Sequence, residues 1–144
     1  MASANKFNDF SEQLARGVHN FGSHTFKVAL TNTAPSAANT ILANITQIAA
    51  GNGYTAGGAA IPNVGVAEAS GTTTIDGDKV TFTAAGGSMA AFRYVVLYND
   101  TATSPADALI AWWDYGSSLT LASGESFEFK PSNADADGAI MTVA

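Results

Sequence analysis

Apolar and polar positions alternate most regularly in the stretch AFRYVVLYNDTATSPADALIAWWDYG, which predicts the central hairpin of an all-β domain. Phe92, Tyr94, Val96 and Tyr98 share one face of a period-two pattern, and Arg93, Val95 and Leu97 share the other. Both faces are largely apolar, the mark of a strand covered on both sides. Residues 109–115 repeat the pattern, with Leu109, Ala111, Trp113 and Tyr115 against Ile110, Trp112 and Asp114. Between them, NDTATSPADA carries turn formers and a proline that would remove a ladder donor, so it is expected to be a solvent-facing loop. Symmetric pairing across that loop sets Tyr98 against Leu109, Val96 against Ala111, Val95 against Trp112, Tyr94 against Trp113 and Arg93 against Asp114. A slip of one residue would leave each charge facing apolar neighbours, at a cost of a few kcal/mol if the site is buried. Arg93 and Asp114 therefore read as a structural charge pair that locks the register, with a ligand-binding pair as the functional rival.

Elsewhere the period changes. Phe7, Phe10, Leu14, Val18 and Phe21 recur at three- and four-residue spacing, which predicts an amphipathic helix over residues 5–16 stopped by Gly17. Residues 1–21 then form an N-terminal helical segment, packed on its own domain or laid as an arm on a neighbouring subunit, and residues 22–144 form a single β-domain. HTFKVALTN alternates as a strand with one dry and one wet face, and residues 41–48 suit either a helical turn or a short strand. GNGYTAGGAAIPN lacks the preceding strand, following helix and Gly-Lys-Ser/Thr ending of a phosphate loop, so it reads as a backbone excursion along a neighbour or over the sheet. Asp76-Gly77 predicts a tight hairpin turn between residues 72–75 and 79–83. SLTLASGESFEFKP predicts two short strands around Ser123-Gly124, and GAIMTVA a final strand with Ile140 and Val143 on opposite faces. Turns this frequent imply a β-sandwich or jelly-roll-like barrel with a short N-terminal helix.

Composition narrows the function. Charged residues are only 12% of the chain against 47% hydrophobic, so the exterior is largely neutral and inexpensive to desolvate. The formal charge of −6 comes with basic residues scattered at Lys6, Arg16, Lys27, Lys79, Arg93 and Lys130, which offers no stripe for a phosphate backbone and argues against nucleic acid. No apolar run reaches bilayer length and MASANKFNDF lacks the features of a signal peptide, so membrane association is not expected and assembly is placed in a cytoplasm. With no cysteine there is no disulfide and no thiolate chemistry.

Positive signs of catalysis are lacking. His19 and His24 straddle a helix end and a strand start and do not share a face as a ligand pair would. No GxSxG elbow, HExxH or flanking carboxylate pair is present, and neither a catalytic residue nor a cofactor is assigned. Asn133, Asp135, Asp137 and Gly138 match the first half of an EF-hand loop, but its closing glutamate would fall at Ala144, so a solvated acidic turn is the reading and no metal is assigned.

Taken in order, NKFNDFSEQLARGVHNF, KVALTNTAP, ITQIAAGNGYTAGG, FRYVVLYND and DYGSSLTLASGESFEF resemble a group of small structural proteins of tailed bacteriophage particles. The resemblance spans essentially the whole chain, and GNGYTAGG followed by RYVVLYND is its most specific part. It implies a virion component, a decoration or cement protein on the outer face of the head shell. Its partner would be the major capsid protein, and the chain would form a dimer or trimer. Phe7, Phe10 and Tyr54, with Gly57 and Gly58 beside them, are then the expected partner contacts, the aromatics being core residues on the alternative reading. Two rivals come from other classes. A tail or fibre component would bind a host glycan on an exposed Trp112 or Trp113 beside Asp114, and a small phage enzyme would act on the cell wall.

Overall fold

The computed structural model describes residues 4–130 and 139–143, so the acidic turn read at Asn133 to Gly138 lies outside the described residues. In chain order the elements begin with β1 (Asn5–Lys6), α1 (Phe10–Ala15) and β2 (Phe26–Thr31). A 3-10 turn (Leu42–Asn44), β3 (Ala59–Ala60), β4 (Gly65–Ala69), β5 (Thr72–Asp76) and β6 (Val80–Thr83) follow. β7 (Phe92–Asn99), β8 (Leu109–Leu119), β9 (Ser126–Phe129) and β10 (Ala139–Val143) complete them. The fold is all-β. Its strands pair antiparallel in a five-stranded sheet ordered β1-β8-β7-β2-β3, a three-stranded sheet β10-β5-β4 and a two-stranded pair β6-β9.

The central hairpin is β7 and β8, and both its faces are covered. Phe92, Val95 and Leu97 join Ile110 and Trp113 in the main core with Phe82, Phe127 and Phe129 of the two-stranded pair. Val96 and Tyr98 face a second, smaller core with Phe7, Ala29, Ile45 and Leu109. β2 was expected to have a wet face, and the structure corrects this: Ala29 and Thr31 are buried along with Val28 and Leu30. Small residues in those positions imitate a solvent face, but the segment 41–48, through Ile45, and Phe7 cover it. That segment combines the two options left open for it, a 3-10 turn at Leu42–Asn44 between isolated bridges at Ile41 and Gln47.

The predicted hairpin register is also corrected. Tyr98 pairs with Leu109 as expected, but an irregularity between Leu97 and Tyr98 moves the rest by one, so that Leu97 meets Ala111, Val96 meets Trp112, Val95 meets Trp113 and Tyr94 meets Asp114. A second irregularity follows, because Phe92 meets Leu119 and residues Tyr115 to Ser118 form an excursion on β8 that turns at Gly116 (φ 103). Bulges of this kind re-aim side chains that simple alternation misplaces.

At the N-terminus the helix is shorter than its periodicity suggests. Asn5 and Lys6 pair with Trp112 and Ala111 as an edge strand, and only Phe10–Ala15 is helical. The three- and four-residue spacing nevertheless places apolar groups inward: Phe10, Phe21 and the half-buried Leu14 reach the main core and Phe7 the second. The segment thus packs against strands of its own chain. The turn signals at 70–77 resolve differently from the expectation. Ser70 (φ 52) and Gly71 (φ 86) make the hairpin between β4 and β5, both central residues having the positive φ that a type I′ turn requires. Asp76-Gly77 instead leads out of that sheet, and β6 pairs with β9. Ser117 to Leu119 belong to β8, so the two short strands expected around Ser123-Gly124 reduce to β9 alone. Ile140 is buried and Val143 exposed, but Ile140 lies at an irregularity of β10 between Ala139 and Met141, so simple alternation does not relate the two.

Candidate functional site

The side chains expected as partner contacts are turned inward. Phe7 is 0% exposed and packs against Trp112 at 4.6 Å between ring centroids, while Phe10 and Tyr54 are equally part of the interior. Rings buried in this way are core, and they offer no surface to a partner in this conformation. The glycine-rich loop is likewise occupied with its own fold. Tyr54 Oη donates to Gln47 Oε1 at 2.7 Å and accepts from Leu30 N at 3.2 Å, and Gly57 N donates to the same Gln47 oxygen at 2.7 Å. Tyr98 Oη donates to Gly57 O at 2.6 Å. Burial pushes both tyrosine hydroxyls up from their ordinary value, so they remain protonated donors. Gly57 and Gly58 are glycines because the loop lies directly on β2: a Cβ at Gly58 would overlap Val28 O, and one at Gly57 would crowd Tyr98 Oη at 3.3 Å. The excursion over the sheet is the alternative realised.

Arg93 and Asp114 do meet, although Tyr94 and not Arg93 stands opposite Asp114. Arg93 Nε donates to Asp114 Oδ1 at 2.8 Å and Nη2 to Oδ2 at 3.0 Å, a two-toothed fork, and the guanidinium lies 5.3 Å from the Tyr94 ring centroid. Asp114 Oδ1 also accepts from Gly116 N at 2.8 Å, which closes the β8 excursion. The guanidinium's hydrogen bond, and then that of Gly116, hold the carboxyl below its usual range. The pair is partly exposed and forms across a shifted register, so it stabilises the bulge and does not lock the predicted alignment. Replacing Arg93 with Met is expected to leave a folded protein with unchanged β7–β8 pairing, read from cross-strand NMR contacts; loss of that pairing would restore the lock.

Two further arrangements were not visible from the sequence. The first gathers His19 and His24 on Asn99, from β7. Asn99 Oδ1 accepts from Thr101 N at 3.0 Å and Ala102 N at 3.2 Å, which fixes its amide with Nδ2 toward the histidines. Nδ2 donates toward Nδ1 of His24 at 3.0 Å, Nδ1 of His19 at 3.2 Å and Val18 O at 3.3 Å. An amide nitrogen has two hydrogens and no lone pair, so the ring nitrogens that face it are placed as acceptors. His19 then carries its proton on Nε2, a buried atom with no hydrogen-bond partner among the described residues. Desolvation, with His24 nearby, lowers its pKa to about 4, against a smaller opposing effect from Asp9. No spacing rule could show this, because Asn99 lies 80 residues from His19.

The second arrangement is an apolar groove of about 610 Å³ between the three-stranded sheet and the segment that follows α1. Val66, Thr73, Ile75 and Val143 line it from the sheet, and Leu14, His19 and Phe21 from the other side. Strand alternation builds it. The pairs Val66–Ile75, Glu68–Thr73, Met141–Ile75 and Val143–Thr73 put these side chains on one face, leaving Ala67, Thr74 and Thr142 for the other. Ile75 is buried at the base, but Val66 is 50% and Val143 47% exposed. They are two of the three large hydrophobic residues most exposed among those described, the third being Tyr115. The alternation is present in VGVAEAS and GTTTIDG, but its exposure depends on a chain reversal at Ser70-Gly71, six residues before the turn expected at Asp76-Gly77. Trp113, by contrast, is buried, so it presents no open ring face as a sugar platform, and Trp112 is half-buried against the second core. Among the described residues no three His, Asp or Glu side chains gather as metal ligands, and no helix is long and apolar enough to cross a membrane.

Comparison with family models, with curated proteins and with solved structures finds no match to the chain.

Proposed function

We propose that the chain is a structural protein of a tailed bacteriophage particle, a decoration or cement protein that binds the outer face of the head shell. The observation that carries the binding part of this reading is the apolar groove with its exposed rim, Val66 and Val143, on a surface otherwise poor in charge. Apolar side chains left half in water beside a concave surface are suited to burial against another protein. The shell assignment rests on the resemblance of the ordered segments from NKFNDF to SGESFEF, and its partner would be the major capsid protein. In this role the buried hairpin and its two cores supply a rigid support, and the three-stranded sheet supplies the contact.

The test is the copy number of the chain in purified particles, by quantitative mass spectrometry against the shell protein. A number comparable with the shell protein's is expected. A handful of copies would move the protein to tail, neck or fibre, and absence from particles would overturn the proposal.

A further inference from the structure

The groove opens onto a strand edge. Among the described residues β4 pairs only with β5, through the register Gly65–Asp76, Val66–Ile75, Ala67–Thr74, Glu68–Thr73 and Ala69–Thr72. Ala69 and Thr72 flank a two-residue turn, so they form a hydrogen-bonded pair, as do Ala67–Thr74 and Gly65–Asp76 by alternation. The backbone N–H and C=O of Val66 and Glu68 therefore point away from β5. Edge strands are commonly protected by lysine, proline or a bulge. β4 has none of these, Glu68 being its one charge, and Val66, Ala67, Glu68 and Ala69 are all exposed.

Side chains and charge specify what would pair there. Val66 and Glu68 project onto the groove face, so residues directly across from them on an added strand would project there too. Across from Val66 an apolar side chain would extend the groove's apolar lining, and across from Glu68 a lysine or arginine would meet a carboxylate. The wider field has the same sign. The chain carries −6, and Arg16, Lys27, Lys79 and Arg93 are already ion-paired with its own Glu12, Asp100, Glu128 and Asp114. A second copy would bring a like charge, whereas a basic segment would be attracted.

We propose that β4 receives an extended segment of a partner protein by strand addition, a segment with apolar side chains at alternate positions and a basic residue opposite Glu68. This deepens the reading of the groove as a protein-binding surface and rests on it. The added strand would hydrogen-bond through Val66 and Glu68 and lay its apolar side chains beside Val66 over the groove.

The probe is a blocked peptide, Lys-Thr-Val-Thr-Val-Lys, titrated into the full chain by NMR, with a second peptide N-methylated on the first lysine and first valine, the nitrogens that would face β4. Binding is expected to slow hydrogen exchange at the Val66 and Glu68 amides. N-methylation should weaken it roughly tenfold or more, as expected for losing two backbone hydrogen bonds. Val66→Thr, which keeps the shape of a half-exposed side chain, should weaken binding with little change in melting temperature. Failure of the unmodified peptide to bind, or equal binding of both peptides with protection elsewhere, would overturn the proposal. So would a dimer in which the two amides are already protected without peptide, since a second copy would then hold the edge. The particle copy number is independent of these results: a chain abundant in particles that ignores the peptide keeps its shell assignment and loses this edge, and a peptide-binding chain absent from particles does the reverse.

Discussion

Gly58→Ala is expected to destabilise the protein by at least about 3 kcal/mol, lowering its melting temperature by about 10 °C for a domain of this size. Two costs combine. Gly58 has φ +77, where an alanine loses roughly 1 kcal/mol or more against glycine. The new methyl group would also overlap Val28 O, a backbone atom of β2 that cannot rotate away. The loop would have to lift, and with it would go the Gly57 bonds to Gln47 and Tyr98 and the pairing of Ala59 and Ala60 with β2. Gly17→Ala is the control, because Gly17 has φ +81 and nothing within 4 Å of the added carbon. It should show the backbone term alone. Equal losses for the two variants would mean that the loop yields freely, and the close approach to β2 would have no energetic weight.

Acid is expected to weaken the fold over the window from about pH 6.5 to about pH 4, through His19. Its folded pKa lies below the unfolded value, so within the window the unfolded chain binds a proton that the native chain refuses, and stability falls as pH falls. Below about pH 4 both states carry the proton and the loss is complete. At about 1.4 kcal/mol per pH unit, the window corresponds to about 3 kcal/mol as an order of magnitude. The groups facing His19 act in both directions: His24 on the same Asn99 amide opposes its protonation and Asp9 favours it, with desolvation the largest effect. Asp114 responds in a separate window. Its pKa is depressed by Arg93 and Gly116, so its contribution is lost only below the ordinary carboxylate value of 3.8. Denaturant titrations at stepped pH would measure both. His19→Phe, which keeps a ring between Phe10 and Phe21, should flatten the profile between pH 4 and 6.5; an unchanged slope would assign the acid loss to other groups.

Much of the fold was legible because its strongest signals are local. The alternation in FRYVVLYN and LIAWWDYG identified the two strands of the central hairpin, and apolar positions on both faces correctly implied cover on both sides. What alternation cannot encode is the insertion of residues into one strand, and two irregularities in β7–β8 displaced most of the predicted pairs. Arg93 and Asp114 still met because Arg93 lies in the second irregularity, between Phe92 and Tyr94, where the strict alternation of faces is broken. The helical spacing of Phe7, Phe10 and Leu14 misled for a related reason. It records which side chains are buried, and an edge strand running into a single helical turn buries the same ones. Between two adjacent glycine-containing turn signals, Ser70-Gly71 and Asp76-Gly77, composition favoured the wrong one, since only the torsions distinguish them. The candidate site was the least legible part. Its groove needs residues from α1, the following segment and β4, β5 and β10 together, and exposure is a property of that assembly and not of any one segment.

The pairing of β1 with β8 has a consequence for synthesis. Asn5 leaves the ribosome 107 residues ahead of its strand partner Trp112. Until then Phe7 has no β8 to pack against, and β2 waits for β7 over a shorter separation, from Phe26–Asn99 to Thr31–Tyr94. The nascent chain thus carries Phe7 without its β8 cover until that strand has been made. Slow elongation or a pause between the two strands would lengthen that exposure without advancing the fold.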